Sequence, residues 1–196
     1  MGPPKRGRLF WDRWLQEYYA DRIPVTVRVE RIVAWPDAKG TGEPRVFGAP
    51  VPADPPAAQP EPKNGAGPRL DAEKAARRIG KLPNQLLAFA GADGYPEVRP
   101  VEIGQGSSAG MELSAAQPLP PGGRRAGLLA HSYNARLVGL QARGHTGWLV
   151  GEGERALYAP HTGFGFRAPG NKTLLLLANG LLAKRGLRRA RRQAAV

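Results

Sequence analysis

The chain of 196 residues contains no cysteine, only three histidines, and 16 acidic residues against 29 basic ones. Without cysteine, disulfides and thiolate metal sites are excluded, and a reducing compartment fits. His131, His145 and His161 lack the close spacing of a zinc site, so no metal chemistry is expected. Long apolar runs are missing as well. The longest, TLLLLANGLLA, falls short of the roughly 20 residues that a spanning helix needs. The basic opening MGPPKRGRLFWDRW is not followed by a continuous apolar segment, so no secretory signal is read there. Together these absences lead to the expectation of a soluble, cytoplasmic protein.

What is present in excess is glycine (26) and proline (20), which implies many turns and few long helices. The formal net charge is +13, but six of the basic residues lie in the acid-free stretch KRGLRRARRQAAV at 184–196. Arginine also stands in for lysine throughout. The charge is therefore a weak guide to a nucleic-acid partner.

Four segments can be separated. Residues 1–35 begin with Phe10, Trp11, Trp14, Leu15 and Tyr18 at helical spacing. They continue after Pro24 as PVTVRVERIVAW, whose alternation predicts a strand with a bulge near Arg31. Residues 36–69 hold too much proline and glycine to propagate a helix or a central strand, and read as a linker or a long covering loop. Residues 70–168 read as the compact core. LDAEKAARRIGKL is a short helix with Asp71 as N-cap. NQLLAFAGADGYPEVRPVEI is a hairpin turning at Asp93-Gly94, GMELSAA is a third strand, and RLVGLQARGHTGWLVGEGERALY supplies two more. PPGGRRAGLLAHSYNA is expected to lead from a loop into a helix. Residues 169–196 predict a C-terminal helix or pair of helices, capped by Asn171 or Thr173, with cations at the end where they complement the helix dipole.

The succession DG-P-VRPV, a strand, a basic residue after PPGG, then YNARLVGL and GWLVGEGE, resembles the pyridoxamine 5′-phosphate oxidase-like, FMN-binding split β-barrel superfamily. The resemblance covers residues 82–155. A further segment at 23–36, RIPVTVRVERIVAWPD, is similar to the strand that closes such barrels, but here it precedes the others. The resemblance implies a mainly β (α+β) fold, a split β-barrel with flanking helices and a C-terminal helix, its strand order permuted or truncated. It also implies a homodimer that binds FMN, or in some branches F420 or haem, and a flavin-dependent oxidoreductase activity. The alternative is a relative without a cofactor that serves as a binding or assembly module.

Five residues become cofactor candidates through that resemblance. Arg99 lies on a strand from which the family's basic residue approaches the flavin; read by itself, it is a strand arginine paired with Glu97 or Glu102. Arg124 and Arg125 stand where the family places a cation near the flavin phosphate, at an expected helix start that would itself attract anions. Ser114 would add a hydrogen bond. Trp148 would stack on the ring system, although a buried or interface tryptophan fits the same position. No catalytic residue is identified. His131 and Ser132 are adjacent and cannot share a proton on one helix, and no nucleophile elbow or Rossmann fingerprint is present. Contact of 184–192 with nucleic acid or an anionic membrane is conceivable from the charge but not favoured, because the neighbouring leucines are expected to pack on the barrel.

Overall fold

The computed structural model describes Phe10, Trp14, Leu15 and residues 25–194. Trp11, Tyr18 and Pro24 lie outside the described residues. Phe10, Trp14 and Leu15 are helical, as their spacing predicts. Backbone contacts divide the chain into two compact units. One comprises residues 1–28, 133–140 and 168–196; the other comprises 29–132 and 141–167.

The second unit is mainly β. Its elements are β1 (Arg31–Ala34), β2 (Arg45–Gly48), α1 (Ala72–Ile79), β3 (Asn84–Ala90), β4 (Pro96–Pro100), β5 (Glu102–Ser107), β6 (Gly110–Ser114), β7 (Gly122–Ser132), β8 (Gln141–Glu152) and β9 (Arg155–Arg167). β1 and β2 form a two-stranded sheet. The other strands form a seven-stranded antiparallel sheet in the order β4-β3-β7-β8-β9-β6-β5. This sheet is open, since no ladder joins β4 to β5. Yet these two edge strands are consecutive and separated only by Val101, so the sheet must coil until its edges meet at that residue.

Gln85 stitches the meeting point. Its backbone carbonyl accepts from Val101 N (3.0 Å), and its side-chain Oε1 accepts from Ile103 N on β5 (2.8 Å). Its Nε2 donates to the carbonyls of Leu82 (3.0 Å) and Gly80 (3.3 Å) at the end of α1. A side-chain amide thus satisfies a backbone donor that no neighbouring strand reaches. α1 packs against β5 through Ala72, Ala75, Ala76 and Ile79, all buried, and Asp71 caps it by accepting from Lys74 N at 2.8 Å. The core beneath contains Leu87, Phe89, Met111, Leu113, Leu128, Leu149 and Tyr158.

Two sequence expectations are corrected. The strand expected across PVTVRVERIVAW is realised only as β1; residues 25–30 form no strand, and Val25, Val27 and Val29 are exposed. β1 pairs with β2 alone, so it does not close the larger sheet, and a permuted barrel completed by this segment is ruled out. Alternation gives a segment the capacity to form a strand, but its hydrogen bonds still need a partner. The helix expected to open at Arg124 is instead β7. Its residues 124, 126, 128 and 130 are buried and alternate with more open neighbours, a period of two rather than 3.6.

In the other unit, α2 (Lys172–Ala194) is one continuous helix. Asn171 caps it, its Oδ1 accepting from Thr173 N (2.9 Å) and Leu174 N (3.2 Å). Among the described residues no helix is long and apolar enough to cross a membrane.

Candidate functional site

The Asp93-Gly94 turn shows how the β1–β2 hairpin is held. Gly94 takes φ +81°, a conformation that favours glycine, and Asp93 Oδ1 accepts from Tyr95 N at 3.2 Å. The other Asp93 oxygen pairs with Arg31, whose guanidinium also donates to the Ala49 (2.9 Å) and Pro50 (2.6 Å) carbonyls and lies over the Tyr95 ring. Arg31's hydrogen bond is the main reason that the Asp93 carboxyl lies below its ordinary range. The Tyr95 hydroxyl donates to Glu30, which holds its pKa above the ordinary value. Arg31 carries this contact although the sequence reading gave it no role.

The five candidate residues divide between the two faces of the sheet. Residues paired across an antiparallel ladder share a face. Arg124 pairs with Leu149 and, through it, Tyr158, which places it on the core face. It is 1% exposed and donates to the carbonyls of Pro56 (3.0 Å) and Pro121 (2.8 Å). Among the described residues its Nε has no hydrogen-bond partner, and burial lowers its pKa, opposed by the charge of Glu97. Arg124 therefore pins the proline-rich segment to the start of β7. Nearby, Gln59 N donates to the Gly123 carbonyl (2.8 Å) and Gln59 Oε1 accepts from Arg125 N (3.0 Å).

Arg99 shares the core-side face through its pairing with Leu87. Its guanidinium binds Glu97 at 2.9 Å and Gln117 Oε1 at 3.2 Å, and lies 5.7 Å from the centre of the Trp35 ring. It lines a small cleft with Trp35, Lys39 and Gln117 whose free volume, about 10 Å³, is room for one water. A wider depression of about 350 Å³ lies beside Asp71, Glu73 and Ser107, where the carboxylates disfavour an anion.

Ser114, Arg125 and Trp148 face the other way. Ser114 is exposed on β6, separated from β7 by β8 and β9. Trp148 pairs with Arg125 but is only 2% exposed. Its indole occupies the space above Gly123, where a Cβ would sit 2.7 Å from the ring, so the ring is closed to a ligand. Arg125 is exposed.

Around Arg125 the outer face of β7, β8 and β9 has a definite order. The row Arg125–Trp148–Ala159 is followed by Gly127–Thr146–Thr162, then Leu129–Gly144–Phe164, then His131–Ala142–Phe166. The Thr146 and Thr162 hydroxyls are 2.6 Å apart and exposed. Gly127 is a bare floor: a Cβ there would meet nothing closer than the His145 carbonyl at 4.0 Å. Phe164 folds its ring over Gly144 and remains 61% exposed. With a rise of about 3.4 Å per residue, Arg125 and the Leu129–Phe164 row lie about 14 Å apart. A cation, a pair of hydroxyls, a flat glycine floor and an aromatic shelf thus follow one another along one face. The period-2 pattern GFGF at 163–166 carries this signal in the sequence, glycines toward one face and aromatics toward the other.

No family model, curated protein or solved structure matches the chain. Among the described residues, no group of three or more His, Asp or Glu could hold a metal ion.

Proposed function

We propose that this chain is a split-barrel protein of the pyridoxamine 5′-phosphate oxidase-like type that binds FMN on the outer face of β7–β9 and acts as an oxidoreductase. The observation that carries the reading is the succession Arg125, Thr146–Thr162, Gly127 and Phe164 along one exposed face. Two edge strands joined by Val101 support the split-barrel reading, because a sheet coiled that far is barrel-like in everything but its last ladder.

The residues fit the cofactor's chemistry. Arg125 offers a planar fork to a phosphate, the threonine hydroxyls offer hydrogen bonds, and Gly127 lets a flat ring approach the backbone. FMN supplies hydride transfer when bound; the protein contributes orientation and an apolar wall. Arg124 takes no part, since its guanidinium is spent on the Pro56 and Pro121 carbonyls. The exposed apolar side chains at the two ends of this face, Val150 and Leu157 at one and Phe164 and Phe166 at the other, favour a homodimer packed through it.

An absorbance spectrum of the purified protein, followed by titration with FMN, F420 and haem, tests the reading. Binding of FMN that weakens about tenfold or more in Arg125→Ala, with unchanged unfolding midpoint, is the expected result. Absence of any chromophore, with no binding at tens of micromolar, would leave the second reading, a cofactor-free assembly module using the same exposed apolar side chains.

A further inference from the structure

The C-terminal helix α2 has two unlike sides. One is occupied by Trp14. The indole Nε1 donates to the Leu176 carbonyl at 3.2 Å, and the ring lies so close above Gly180 that a Cβ there would meet it at 2.1 Å. The Lys184 ammonium sits 4.2 Å from the ring centre. Positions 176, 180 and 184 therefore mark the packed side.

At 100° per residue, the opposite side is a stripe about 120° wide. Its first turns carry Leu174, Leu181 and Leu182, which are 57%, 42% and 64% exposed. Its last turns carry Arg185, Arg188, Arg189 and Arg192, also exposed. No acidic residue interrupts the helix. The leucines of this helix were expected to pack; these three are exposed.

We infer that this stripe of α2 docks on an anionic lipid bilayer, lying in the interface without crossing it. Two observations select lipid. A bilayer interface can meet both halves of this stripe, its acyl chains the leucines of the first half and its anionic headgroups the arginines of the second. A nucleic acid gains from the arginines alone, and no aromatic residue stands between 172 and 194 to stack on a base. The apolar part, 173–183, is about 17 Å long, well short of the ~30 Å hydrocarbon core, so the helix lies flat.

The test is sedimentation of the full chain with vesicles of phosphatidylcholine alone and with about a third phosphatidylserine. The expected result is partitioning at least about tenfold stronger to the anionic vesicles, falling steeply between 0.1 and 0.5 M salt. Replacing Arg185, Arg188, Arg189 and Arg192 by Ala abolishes the difference between the two vesicle types. Leu181→Ser with Leu182→Ser weakens binding about tenfold at constant charge. All these positions are exposed, so the unfolding midpoint stays at its wild-type value and serves as the folding control. Equal binding to neutral and anionic vesicles, or no binding to either, overturns the inference. So does binding to a short RNA or DNA duplex that is indifferent to the leucine substitutions and is not matched by the vesicles.

Discussion

Arg124 and Arg125 are neighbours in the chain and sit on opposite faces of β7. The inner arginine is enclosed, held by two loop carbonyls and lowered in pKa by its burial; the outer one stands in solvent beside the threonine hydroxyls. Two side chains of the same type, one residue apart, thus divide between holding the fold and facing solvent. The division follows from the pleat: one step along a strand moves a side chain from one face to the other. The same rule separates Tyr158, whose ring is buried among leucines, from Leu157 beside it, which faces out.

The largest expected effect breaks this contrast from the inside. Arg124→Ala removes the partner of the Pro56 and Pro121 carbonyls and leaves a void at a site 1% exposed, so it should cost about 3 kcal/mol. Arg125→Ala should stay within about 0.5 kcal/mol. Equilibrium denaturation in urea compares the two directly; similar costs for both would mean that the inner arginine is not a structural pin.

A middle-sized effect concerns Tyr158. Its hydroxyl lies 3.0 Å from the His145 carbonyl and 3.2 Å from that of Ala126, and burial raises its pKa above the ordinary 10.0. Because the folded state holds this proton more tightly than the unfolded chain, its share of stability is complete below about pH 10 and is lost as pH rises further. Tyr158→Phe should cost about 1 kcal/mol at neutral pH, and its unfolding midpoint should decline less between pH 10 and 11 than that of the wild type. An identical decline in both proteins would assign the alkaline loss elsewhere.

A smaller effect than either Arg124→Ala or Tyr158→Phe is expected at Arg99. Its pair with Glu97 is about a quarter exposed on the arginine side, and Arg99→Ala should cost about 1 kcal/mol or less by the same urea measurement. A loss as large as that of Arg124→Ala would erase the distinction between a rim ion pair and an enclosed one.

Much of the sheet was legible. NQLLAFA and the Asp-Gly turn gave the β3–β4 hairpin, Asp71 gave the cap of α1, and RLVGLQARGHTGWLVGEGERALY gave two strands, realised as β8 and β9. β7 was not legible as a strand, because GGRRAGLLAHS has no β-branched residue and its buried positions are Arg124, two alanines and a leucine. The segment at 25–34 misled in the opposite direction. Its valines alternate well, yet only Arg31–Ala34 finds a partner strand. The candidate site was legible residue by residue but not as an assembly, since motif order does not say which face each side chain takes. Ladder register supplies that: it sets Arg99 and Arg124 inward, leaves Ser114 outward beyond two intervening strands, and places Phe164 on the same outer face as Arg125.

The single-residue junction at Val101 also has a kinetic consequence. β3–β4, β5–β6 and β7–β8–β9 are each built from chain neighbours, whereas the β3–β7 and β6–β9 ladders join residues far apart in sequence. Because Val101 ties the first two hairpins into one piece, seating that piece around the β7–β9 meander forms both distant ladders in one event. The loop-closure entropy is then shared between them instead of being met twice. Refolding of the sheet should accordingly show one dominant slow step, with its two borders becoming protected from hydrogen exchange together.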